Sequence, residues 1–330
     1  MKNIKREYIV LGLIIVVLSV YLVFHKDGSD PVIMPNLPDI SQMDITRLEI
    51  NKSGTTLVIE KKDSGWVIGE DKFPADETQV NAMVANIKGF KLTALVSEAK
   101  DYSRYDLDDE HKIKVTAFSK DKVARTFDLG KTASSYRHTF VKLDNDSRVF
   151  HAEQNFREAF EKKEDDLTNK KVLSCEPESI TRVDGTVEKA TFGYQKKKEE
   201  IKESTEVKAD ETGKQPGDIS ENKDKAPQPQ KTRELWADAS GKETDMAKIS
   251  EFLNLFSSLT CTNYIKGSKK EDFTEPLILI TLTGNKPLSL TIFNKKEEMG
   301  GYPAVSSESP FPFILPAEKV DEIKNKLSGF

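Results

Sequence analysis

The chain has 330 residues, 37% of them hydrophobic and 32% charged, enough for about two ordinary domains with accessory segments. Its 50 basic and 55 acidic residues nearly cancel to a net charge of −5, which argues against a dedicated nucleic-acid binder. The two cysteines, Cys175 and Cys261, exclude a disulfide-dense scaffold and a four-cysteine metal centre, and four histidines leave little material for a histidine-rich site.

The strongest signal is at the N-terminus. Residues 8–24 (YIVLGLIIVVLSVYLVF) carry no charge, and thirteen of them are Ile, Leu, Val or Phe. At about −0.3 to −0.6 kcal/mol each, these favour membrane insertion by about 5 kcal/mol. Seventeen residues at 1.5 Å rise reach roughly 25 Å, the short end of a bilayer core. Lys2, Lys5 and Arg6 precede the run, whereas the Lys26 that follows is offset by Asp27 and Asp30. The positive-inside rule then predicts residues 1–7 in the cytoplasm, an anchor over 8–24, and the rest of the chain outside. Val20–His25 is too bulky for a signal-peptidase site, and no cysteine follows closely enough for a lipoprotein signal.

Residues 25–43 hold Pro31, Pro35 and Pro38 without apolar periodicity and read as a semi-rigid stalk. An internal repeat follows. Ile45-Thr46-Arg47-Leu48 recurs as Ile180-Thr181-Arg182-Val183, and each copy leads through a strand-like stretch to a tryptophan, Trp66 or Trp236. A helix comes next in both. Asp76, with Gln79 as a capping-box partner, opens one whose apolar face is Val80, Met83, Val84, Ile87 and Phe90. At a shift of 169 the same places hold Asp245, Ile249, Phe252, Leu253, Phe256 and Leu259.

Strand-like runs then span 112–118, 124–129, 139–143 and 148–151 in the first copy, and 277–283, 288–293 and 302–305 in the second. Short helices over 156–162 and 317–327 close the two copies. Turns this short cannot make parallel crossovers, so the pairing is antiparallel. The predicted fold class is α+β: two related lobes, 44–162 and 180–327, joined by a connector over 163–179. Residues 195–232 have nine lysines, nine acidic residues and no aromatic, so they read as a disordered insertion into a hairpin of the second lobe.

Few residues suggest chemistry. Gly130-Lys131-Thr132 lacks the upstream glycine of a phosphate loop, since Arg125 stands there, and strand-like residues follow it. A four-residue loop over 144–147 would set Phe140 opposite His151 and His138 opposite Glu153. Two imidazoles and a carboxylate would then share one sheet face, a ligand set for an open metal site, or simply an exposed polar face. A register slip of one residue would separate them. Asp106, Asp108, Asp109 and Glu110 lack the glycine and terminal glutamate of a calcium loop and read as a solvated turn. Trp66 and Trp236 read as core anchors. Cys175 and Cys261 either pair, tying the connector to the second lobe, or stay free. No catalytic, cofactor or metal residue is assigned.

The chain resembles a bacterial family, domain of unknown function 4340. The likeness rests on the short N-terminal anchor, Trp66-Val67-Ile68, the helix entry Pro74-Ala75-Asp76, and Tyr105-Asp106-Leu107, where the family tends to show tyrosine, glycine, leucine. It continues with Asp128-Leu129-Gly130, Thr139-Phe140-Val141 and the connector 167–173, and covers most of 44–327. The resemblance implies no known catalysis. It implies companionship with an ABC-type transport system related to gliding-motility auxiliary components, hence an envelope partner. The expectation is a non-catalytic, membrane-anchored periplasmic interaction protein. A ligand-sensing or solute-binding module with a site between the lobes stands as the alternative, ahead of an envelope hydrolase using His138, His151 and Glu153.

Overall fold

The structure is a computed structural model that describes residues 6–24, 33–40, 44–200 and 232–329. It opens with helix α1 (Arg6–Phe24), whose described side chains, Tyr8 and those of residues 10–22, are all exposed. Among the described residues no helix is long and apolar enough to cross a membrane.

Two nine-stranded sheets follow. The first is built from β1 (Arg47–Lys52), β2 (Thr55–Lys62), β3 (Gly65–Ile68), β4 (Phe73–Pro74), then helix α2 (Glu77–Lys88), β5 (Leu92–Ser97), β6 (Ile113–Ser119), β7 (Lys122–Thr132), β8 (His138–Leu143) and β9 (Val149–Glu153). Their spatial order is β4-β3-β2-β1-β6-β7-β8-β9-β5. Short helices α3 (Arg157–Phe160) and α4 (Glu164–Leu167) and strand β10 (Lys171–Leu173) lead onward. The second sheet uses β11 (Arg182–Val187), β12 (Ala190–Glu200), β13 (Thr232–Asp238) and β14 (Glu243–Thr244), followed by helix α5 (Met246–Asn254). After β15 (Leu259–Thr260), which pairs with β10, it continues with β16 (Asn263–Tyr264), β17 (Pro276–Thr283), β18 (Leu288–Phe293), β19 (Tyr302–Ser306) and β20 (Phe313–Leu315), and helix α6 (Ala317–Ser328) ends it. Its order is β14-β13-β12-β11-β17-β18-β19-β20-β16, the order of the first sheet element for element. The fold is α+β with antiparallel pairing, as the short turns require.

The chain divides into two compact units, residues 1–61 with 78–163, and residues 62–77 with 164–330. In the first, Val80, Met83, Val84, Ile87 and Phe90 are all buried, with Phe90 stacked on Phe127 at 4.5 Å and 5.5 Å from Phe156. In the second, Ile249, Phe252, Leu253, Phe256 and Leu259 are likewise buried. Asp245 caps its helix by accepting from the Ala247 N–H at 2.9 Å. Trp66 and Trp236 are buried too. The five apolar positions aligned by the 169-residue shift are thus core in both units.

Two expectations are revised. The insertion was expected to begin at Gln195, but β12 runs on to Glu200, paired with β13 from Tyr194↔Asp238 to Glu200↔Thr232. Lys196 and Lys198 alternate along that strand and meet Glu234 across it at 2.7 and 3.8 Å, so a charged composition fits a solvated ribbon. The remainder, 201–231, lies outside the described residues, as do 25–32 and 41–43 of the expected stalk. Of that stalk, 33–40 lies against the first unit. Ile40 is buried, and the backbone carbonyl of Pro38 accepts from Arg125 Nη2 at 2.5 Å.

Candidate functional site

The face singled out by the histidines sits on β8 and β9. The turn between them is held by Asp146, which accepts from the Arg148 N–H at 2.9 Å and from the Arg148 guanidinium at 2.8–3.2 Å. That guanidinium holds the Asp146 carboxyl below its ordinary range. With the turn fixed, the register is His138↔Glu153, Thr139↔Ala152, Phe140↔His151 and Val141↔Phe150. This is the register expected from a 144–147 loop.

Strand alternation then sorts the side chains. Thr139, Val141, Phe150 and Ala152 face the core and are buried. Thr139 locks the end of the ribbon, donating to Gln154 O at 3.1 Å and accepting from the Phe156 N–H at 3.0 Å. His138, Phe140, His151 and Glu153 take the other face. The His138 and His151 rings stack at 5.3 Å between centroids, 23° apart in plane. Phe140 lies 4.8 Å from His151, and Tyr105 lies 4.9 Å from Phe140.

His151 is half-buried, and its Nε2 is buried with no hydrogen-bond partner. Desolvation, reinforced by the neighbouring His138, pushes its pKa below the ordinary 6.5. His138 Nδ1 lies 3.4 Å from Ser135 Oγ in the β7–β8 turn. At the tip of that turn Tyr136 is 81% exposed in the left-handed region, at φ 57°. Sequence reasoning named the two histidines and Glu153 but missed Tyr105 and Ser135, which reach the face from a loop and a turn with no periodic signal.

The acidic run forms a turn. Asp108 Oδ1 pairs with His111 Nδ1 at 2.7 Å, and Asp109 with Lys112 at 2.6 Å. Among the described residues, Asp108, Glu110 and His111 are the one trio of metal-ligand type whose ligand atoms already converge. Gly130 and Lys131 lie inside β7. Ser174, Cys175, Lys286 and Glu308 help line a cavity of about 370 Å³ in the second unit. A second, of about 500 Å³, is lined in part by Phe73, Thr168, Lys170, Tyr264 and Lys266. Its cations are engaged, Lys266 with Glu164 at 3.2 Å and Lys170 with Thr262 O at 2.7 Å.

The cysteines are free thiols and both are buried. Cys175 N–H donates to Phe256 O and Cys261 N–H to Lys170 O, which puts them at opposite ends of the β10–β15 ladder.

A family model described as Domain of unknown function (DUF4340) matches residues 66–277, well over half of the chain, and the chain belongs to this family. No curated protein and no solved structure matches it.

Proposed function

We propose that this family member is a non-catalytic interaction protein tethered to the bacterial inner membrane by residues 8–24, with both folded units in the periplasm. Its partner is another envelope component, an ABC-type transport complex being the partner the family resemblance implies. The observation that carries the tether is α1: a helix whose described side chains are nearly all apolar and all exposed. A helix apolar on every side needs apolar surroundings, and the basic residues before it orient it with its N-terminus inside. The helix contains the whole uncharged run of the sequence, residues 8–24. In support of a non-catalytic role, the polar groups around the larger cavity are tied into ion pairs and backbone hydrogen bonds.

A periplasm-specific reporter fused after residue 44 tests the tether, and it is expected to be active. Crosslinking in intact cells with mass spectrometry tests the partner, and a stoichiometric membrane component is expected. A reporter active only in the cytoplasm rejects the topology. Recovery of no partner rejects the interaction role.

A further inference from the structure

We propose that His138, His151 and Glu153 form a binding site for one divalent ion of the zinc class on the open face of the β8–β9 ribbon. The argument starts from register. His151 and Glu153 are two residues apart on one strand and so point the same way, and His138 stands directly across from Glu153. Directly opposed residues have Cβ atoms about 5 Å apart and diagonal ones about 7 Å, so rotation of the side chains, whose ligand atoms lie apart as they stand, would bring the three together. Two imidazoles and one carboxylate on adjacent strands leave a fourth tetrahedral position open.

The state of the two rings supplies the second observation. His151 Nε2 is buried and has no partner. A ring nitrogen left unsatisfied there is what a metal ion would engage, in the tautomer that bares its lone pair, once the ring turns toward its neighbour. Ser135 Oγ sits where it can accept from His138 Nδ1–H, which would leave His138 Nε2 as the free lone pair. A metal-bound histidine usually has its other ring nitrogen held in this way.

Phe140, backed by Tyr105, flanks the His151 ring with aromatic carbon and lowers the local dielectric on one side. The donor set of imidazole nitrogen and carboxylate oxygen suits zinc and its first-row neighbours better than calcium or magnesium. The other trio, Asp108, Glu110 and His111, competes poorly. It is oxygen-rich and solvated, and His111 Nδ1 is already bonded to Asp108.

The test is calorimetric titration of Zn²⁺ into the full-length protein in detergent after removal of bound metal, with circular dichroism to confirm folding of each variant. One equivalent is expected to bind. His138→Asn and Glu153→Gln, both at solvent-accessible positions, are expected to abolish or sharply weaken it. Ser135→Ala is expected to weaken it by roughly 10–100-fold through loss of the outer support. His111→Asn is expected to leave it unchanged. The proposal is overturned if wild type takes up no saturable Zn²⁺, if His138→Asn and Glu153→Gln bind as wild type does, or if His111→Asn abolishes uptake.

Discussion

Gly130 lies so close to Tyr105 that a Cβ placed on the glycine would stand 2.1 Å from the Tyr105 carbonyl oxygen. The obstacle is backbone, so it cannot swing aside. Gly130→Ala must push the 103–107 turn off β7, where Leu107 is buried. The expected cost is at or above the upper end of roughly 1–3 kcal/mol for overpacking. Chemical denaturation of the two proteins checks it, and a loss below 1 kcal/mol would mean that the turn is free to shift.

Asp106, within the same turn, has φ 55° and donates its N–H to Ser103 O at 3.3 Å. The left-handed backbone suits glycine without strain and aspartate tolerates it, unlike most side chains. Asp106→Gly is expected to leave stability unchanged or to raise it by up to about 1 kcal/mol, whereas Asp106→Val lowers it by about 1–2 kcal/mol. Thermal melts of the pair give the comparison. Equal loss in both variants would show that the aspartate carboxylate, rather than the backbone, matters.

Arg125 is a charged residue only 7% exposed. Its guanidinium donates to Ile87 O at the end of α2 and to Pro38 O, each at 2.5 Å, and lies 5.9 Å from the centre of the Phe90 ring. Burial pulls its pKa down, partly countered by Asp39, yet arginine stays charged at any working pH. It therefore clasps residues 33–40 to the first unit. Arg125→Met is expected to cost about 2 kcal/mol for hydrogen bonds to a charged donor. It should also speed proteolytic cleavage within 33–40 more than elsewhere. Unchanged cleavage there would mean that burial of Ile40 alone holds the segment.

What the sequence makes legible follows from the range of the interactions involved. The helix faces Val80–Phe90 and Ile249–Leu259 are local and periodic, and every apolar position read from that period is buried. The β8–β9 register could be derived because a single short turn determines it. Among the strands that escape notice are β5, β10, β15, β16 and β20. β5 and β16 cross to the far edge of their sheets, and β16 and β20 have two and three residues, too few for a period-2 pattern. The clasp on Pro38 was equally hidden, since nothing near Pro38 announces an arginine 87 residues away. The first strand of the insertion hairpin, β12, reads as too short for the opposite reason. Its lysines look like a disordered tract until Glu234 is seen across from them.

The two thiols are expected to remain unpaired. Cys175 lies five residues along the chain from Lys170, whose carbonyl accepts from the Cys261 N–H, and the three-residue strand β10 between them takes up about 10 Å at the strand rise, against a Cα separation of at most about 7 Å in a disulfide. Desolvation pushes both thiols up to about 11, so almost no thiolate exists at neutral pH. Intact mass under non-reducing conditions should match two free thiols. Alkylation should be slow in the native protein and rapid in denaturant. An intramolecular crosslink, or fast native labelling, would contradict this arrangement.

His111 is expected to titrate above 6.5. Its hydrogen bond to Asp108, 2.7 Å long, favours the imidazolium, the carboxylate's charge adds to this, and desolvation opposes both. The same contact holds Asp108 below its ordinary range. A raised histidine pKa contributes stability that is fully present below the unfolded value of about 6.5 and fades as pH rises through the folded pKa. The lowered Asp108 contributes above its unfolded value and fades as pH falls through its folded pKa. The ion pair is therefore strongest between the two. His111 is exposed and Asp108 only half-buried, so the effect belongs in a titration curve rather than in a melting temperature. An NMR titration should place the His111 midpoint above 6.5 in wild type and return it toward 6.5 in Asp108→Asn. A midpoint that ignores the substitution would assign the shift to Asp106 and Glu110 instead, the weaker charges acting on the same ring.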